Sequence, residues 1–145
     1  KQLEEAIRKK TPLILEIKNL SLKEAEELAV DYGPYLADAL NKVGAIGPYK
    51  LMEKFTARQG GVWQAHHILE RSMFKRFRQL RKISPADEAP SVVLTEAEHQ
   101  AITKKLGTLT TNAQDLKGLW NAYKKAYAEH PEWLDAIRSY FPNAK

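Results

Sequence analysis

A chain of 145 residues with 43% apolar and 28% charged side chains has the size and composition of one domain with its own core. A net charge of +5 favours an acidic partner such as nucleic acid, and the absence of cysteine excludes disulfides and thiolate metal sites. No apolar run approaches the roughly 20 residues needed to span a bilayer, and the charged opening Lys1–Lys10 has no apolar secretory region. Because the chain opens on Lys, it reads as a module of a longer polypeptide, with any delivery signal upstream.

Residues 1–10 read as a helical end. Pro12 interrupts the pattern, and Leu13–Ile17 fits an extended segment. Ser21 and Glu24 form a capping box, which predicts a helix from about Leu22 to Val30. Pro34 and Gly44 punctuate a second helix, and Gly47-Pro48 opens a third over "YKLMEKFTARQ" that ends at Gly60-Gly61. "VWQAHHIL" is β-branched and aromatic and predicts a short strand. "SMFKRFRQL" sets Met73, Phe74, Phe77 and Leu80 on one helical face. "ISPADEAP" is a loop, and "SVVL" a second strand. Thr95 and Glu98 then cap a helix from about Glu96 to Leu106. Asn112 is expected to cap a longer helix to about Ala128, whose Leu116, Leu119, Trp120, Tyr123 and Tyr127 share a face. Pro131 starts a last helix through Tyr140. The aromatic stripe has the spacing of helix packing, not of a base-stacking platform.

The chemistry concentrates at the histidines. His66 and His67 stand together on the first predicted strand, and His99 lies near the start of the helix after the second. Neutral imidazole binds divalent metals and is the side chain that titrates nearest pH 7, so three such groups can supply ligands and a general base. Adjacent strand histidines are also what one buried and one exposed imidazole would give. His130, before Pro131, reads as a cap or packing residue without chemistry.

"QAHHILE", then about thirty residues, then "APSVVLTEAEHQAIT" resembles the HNH, or ββα-metal, nuclease superfamily. The likeness is to its Ala-His-His class, found as C-terminal toxin domains of bacterial polymorphic toxins. It covers about Trp63 to Leu106. The resemblance implies that His66 is a metal ligand, that His67 is the base taking a proton from the attacking water, and that His99 is a second ligand. Two departures stand out. Four residues after His99, where the colicin-type DNases place another histidine, this chain has Thr103, a poor ligand that could only support one that binds. An ideal strand also points His66 and His67 to opposite faces, so one site uses both only if the strand ends, twists or bulges there. Glu70 shares the parity of His66 and is a candidate to orient a ligand, or else a surface carboxylate. Few imidazoles and many oxygens favour Mg²⁺ or Mn²⁺, with Zn²⁺ or Ni²⁺ as alternatives.

Arg71, Lys75, Arg76, Arg78, Arg81 and Lys82 fall in a stretch without an acid. Arg71, Lys75, Arg76 and Arg78 are the candidate phosphate contacts, and the other reading is the solvated face of an amphipathic helix.

The expectation is a mostly helical α+β domain spanning 1–145. A small ββα-metal unit at 63–106 is flanked by a helical part at 1–60 and helices at 110–145. Its expected function is a metal-dependent endonuclease, a DNase, serving as the toxin domain of a secreted or injected antibacterial effector that acts in the target-cell cytoplasm. An acidic immunity protein would protect the producer. An RNase using the same site, or a non-catalytic basic module binding nucleic acid or protein, are the alternatives.

Overall fold

The computed structural model describes residues 5, 8–9, 13–57 and 59–142. The helical end expected at 1–10 falls mostly outside them. The fold is α+β and mostly helical, around a three-stranded antiparallel sheet.

Leu13 and Ile14 are extended, with Ile14 bridging to Ile46 in parallel. The Ser21 hydroxyl accepts from the Glu24 backbone N–H at 3.1 Å and starts helix α1, Leu22–Tyr32. Pro34 opens α2, Pro34–Val43, which stops at Gly44 in the left-handed conformation at φ 65°. Ile46–Pro48 is a strand, β1, where the Gly-Pro pair predicted only helix punctuation. It sits at the sheet edge, where proline is tolerated. Helix α3, Tyr49–Thr56, precedes β2, Trp63–His67.

The expected single helix over "SMFKRFRQL" is two short ones, α4 (Arg71–Arg76) and α5 (Arg78–Ile83). Phe77 lies between them in extended conformation, and the break still buries Met73, Phe74, Phe77 and Leu80 as the periodicity requires. A 3₁₀ turn at Ala86–Glu88 leads into β3, Pro90–Thr95.

The capping box at Thr95 and Glu98 is complete in both directions. It opens α6, Glu96–Thr110, one turn longer than expected. That extension moves the next start: Asp115, not Asn112, accepts from Gly118 N–H at 2.7 Å and caps α7, Leu116–Ala126. Helix α8, Pro131–Ile137, passes into a 3₁₀ turn at Arg138–Tyr140.

Strand β3 is central, between β1 and β2. Its register pairs Val92 with His66 and Val93 with Ala65. Alternation then divides the sheet into two faces. Val92 and Leu94 pack with Ile68, Leu106, Tyr123 and Ile137 in the larger core, formed with the C-terminal helices. Val93 packs with Ala37, Leu40, Met52 and Phe55 in a second core formed with α1–α3, and Trp63 and Ala65 lie against it. Each fully buried Leu or Ile in these cores contributes about 1.5–3 kcal/mol of transfer free energy. Asn41 ties α2 to the β3–α6 junction, donating to the Val93 carbonyl at 2.8 Å and to Glu98 at 3.0 Å. Among the described residues no helix is long and apolar enough to cross a membrane.

Candidate active site at the β2–β3–α6 junction

Strand β2 follows the glycine turn at Gly60 and Gly61, runs antiparallel to β3, and β3 leads directly into α6. This strand–strand–helix order sets the first turn of α6 over β2. His66 and His99 therefore meet, with ring centroids 5.2 Å apart and planes inclined at 64°. Two imidazoles bound to one tetrahedral ion at about 2.0–2.1 Å from each nitrogen would have their centroids roughly 5 Å apart, so the ring spacing is that of a pair able to share an ion.

His66 is 3% exposed. Its Nε2 lies 3.0 Å from the Tyr127 hydroxyl, which itself lies 2.6 Å from the Ile68 carbonyl. Trp133 packs against His66, with ring centroids 5.9 Å apart. Burial, with His99 and His67 adding repulsion, lowers the His66 pKa to about 3. His99 is half-buried, with its Nδ1 bonded to the Gln64 side-chain oxygen, and burial lowers its pKa as well. Both rings are thus neutral at pH 7, the form that binds a metal.

His67 shares the face of Val93, across the sheet from His66. It stacks on Tyr49 with centroids 3.9 Å apart, and its Nε2 lies 3.1 Å from the Ala86 carbonyl. Burial lowers its pKa, the Ala86 bond opposes that, and nearby Arg71 lowers it further. Strand β2 ends at His67, but its register with β3 stays regular through that residue, so the two rings lie on opposite faces and His67 is not brought to the His66–His99 pair. Arg71 stands beside this ring, paired with Asp87 and with its guanidinium carbon 5.3 Å from the Tyr49 ring centroid.

The remaining expected site residues separate. Glu70 is past the end of β2, so strand parity does not apply to it. Its backbone N–H donates to the Tyr123 hydroxyl at 3.0 Å, and its half-buried carboxyl, raised in pKa by burial, faces the same hydroxyl at 3.3 Å. Arg76 is not a free cation. It donates to the carbonyls of Thr110, at 3.0 Å, and of Ala113, holding the end of α6. Lys75, Arg78 and Thr103 are exposed. His130 precedes α8 and stacks on Trp133, as a packing residue. Among the described residues no group of three or more His, Cys, Asp or Glu side chains converges as a metal cage. Two surface concavities, lined by Val30, Pro34 and Lys54 and by Leu15, Leu28 and Phe55, lie in the N-terminal part, and no histidine lines either.

Sequence reasoning missed Gln64, Tyr49, Asp87 and the hydroxyls of Tyr123 and Tyr127. Gln64 was within reach of the period-2 rule, because it lies two residues before His66 on the same strand. The tyrosine spacing signalled burial but not the atoms the hydroxyls would meet.

Comparison of the chain with protein-family models, curated proteins and solved structures finds no match.

Proposed function

We propose that this chain is a metal-dependent endonuclease, a DNase, that serves as the toxin module of a secreted or injected antibacterial effector. The observation that carries the reading is the 5.2 Å approach of the His66 and His99 ring centroids across the β2–α6 junction. The resemblance of "QAHHILE" and "VVLTEAEHQAIT" to HNH nucleases supports it independently.

In this reading His66 and His99 would hold a divalent cation. With water and phosphate oxygens completing the shell, two imidazoles would suit Mn²⁺ or Mg²⁺, with Zn²⁺ or Ni²⁺ as alternatives. A bound divalent cation supplies neutralisation of charge on the phosphodiester and its leaving oxygen. His67 is the base. Its Nε2–H donates to the Ala86 carbonyl, so the lone pair is on Nδ1, ready to accept a proton from the attacking water. Stacking on Tyr49 fixes the ring plane. Arg71 contacts a substrate phosphate by exchanging the Asp87 carboxylate for it, one anion for another. The net charge of +5 favours approach of nucleic acid and suits an acidic immunity protein as inhibitor.

Expression in a bacterial cell from a tightly controlled promoter tests the reading. The wild type should kill with fragmented nucleoids, and His67→Ala should grow normally. Intact chromosomal DNA beside degraded ribosomal or transfer RNA would replace the DNase with an RNase. Equal toxicity of both forms would remove the histidines from the mechanism.

A further inference from the structure

The hydrogen-bond partners of His66 and His99 restrict which ring nitrogen each can offer. A tyrosine hydroxyl has one hydrogen, and a carbonyl oxygen can only accept. At 2.6 Å the Tyr127 hydrogen is committed to the Ile68 carbonyl. The hydroxyl oxygen can therefore only accept from His66, which makes Nε2 the protonated nitrogen and leaves the lone pair on Nδ1. The same logic runs through Gln64. Its amide nitrogen donates to the Gly61 carbonyl at 3.2 Å, which fixes the amide orientation and turns the oxygen toward His99. An amide oxygen only accepts, so His99 carries its proton on Nδ1 and keeps the lone pair on Nε2.

We infer that Tyr127 and Gln64 are positioning residues that lock the pair in opposite tautomers, His66 ligating through Nδ1 and His99 through Nε2. The ligation half of this inference rests on the proposed function, whereas the tautomers belong to the metal-free protein. The two anchors come from different places. Tyr127 follows the end of α7, and Gln64 lies on β2 two residues before His66. Each imidazole is thus oriented by an element that its own backbone does not control. His99 is the more diagnostic of the two, because free histidine in water favours the Nε2–H form and only a specific acceptor at Nδ1 reverses that preference. Partners of this kind, acting on a ligand's other nitrogen, typically carry about 10–100-fold in metal affinity.

Imidazole ¹⁵N and ¹³C shifts of metal-free protein at pH 8, followed by calorimetric titration with Mn²⁺, test the inference without reference to cleavage. The wild type should show His66 as Nε2–H and His99 as Nδ1–H. Gln64→Leu should return His99 to the ordinary tautomer mixture and weaken Mn²⁺ binding about 10–100-fold. Gln64→Glu, which restores an acceptor, should recover both. Tyr127→Phe keeps the ring volume and should broaden or split the His66 signals. Finding His99 as Nε2–H in the wild type would overturn the inference. So would a Gln64→Leu variant that keeps both the wild-type tautomer and the wild-type Mn²⁺ affinity. A protein with the expected tautomers and no nuclease activity would leave the positioning intact and refute the proposed function alone.

Discussion

The imidazoles of His66 and His99, from residues separated by two short helices, a 3₁₀ turn and strand β3, stand with ring centroids 5.2 Å apart and planes at 64° on one face of the sheet. Local structure accounts for the meeting. The Thr95–Glu98 capping box begins α6 immediately after β3, and the β2–β3 register places Val92 opposite His66. The first turn of α6 is thereby fixed above the strand that carries His66. Both rings are neutral at pH 7, and His66 is enclosed by aromatic side chains.

Burial of His66 makes stability depend on pH. The unfolded imidazole takes a proton near pH 6.5, whereas the folded one does so only near 3. As pH falls through this window the unfolded state gains a proton that the folded state does not, so stability is lost. Between pH 7 and pH 4 the loss should be on the order of 3 kcal/mol. Urea unfolding of the wild type and of His66→Phe at both pH values isolates this contribution. The variant should lose distinctly less stability on acidification, and parallel losses would contradict the burial account.

Arg76 and Arg71 should respond to different measurements. Arg76→Ala removes donors to the Thr110 and Ala113 carbonyls and should cost about 1–2 kcal/mol, or roughly 2–8 °C in Tm. It should leave the salt dependence of DNA binding unchanged. Arg71→Ala should barely affect Tm, because its ion pair with Asp87 is exposed. It should instead reduce the slope of log K against log salt by about 0.9. The same slope change is expected for Lys75→Ala or Arg78→Ala wherever those exposed cations reach the duplex.

His67→Ala should lower cleavage by about 10²–10⁴ while metal affinity stays near that of the wild type, because the ring lies across the sheet from the ligand pair. Burial lowers the His67 pKa, so the acid limb of the rate profile should fall below the ordinary imidazole range. Calorimetry in which His67→Ala no longer binds metal would make it a ligand instead.

The parts of this site that were legible in the sequence rest on short-range rules. Ser21, Thr95 and Glu98 announce helix starts through contacts three residues away, and alternation on β2 separates His66 from His67. What was not legible depends on partners far along the chain. Tyr127 meets His66 across 61 residues, and its helical spacing with Tyr123 signalled only burial. Arg76 stood in a run without acids, which suggested an unpaired cation, yet its partners are backbone carbonyls that no side-chain pattern displays. The edge strand Ile46–Pro48 was hidden by a Gly-Pro pair that marks helix starts equally well. The α6 extension to Thr110 displaced the next cap from Asn112 to Asp115.

Incubation of purified protein with supercoiled plasmid and Mn²⁺, with and without a chelator, tests the central claim most directly. The account predicts nicking and linearisation that the chelator abolishes and that His66→Ala and His99→Ala both lose. Undiminished cleavage by those two variants, or a wild type that binds the plasmid without cutting it under any divalent cation, would contradict it.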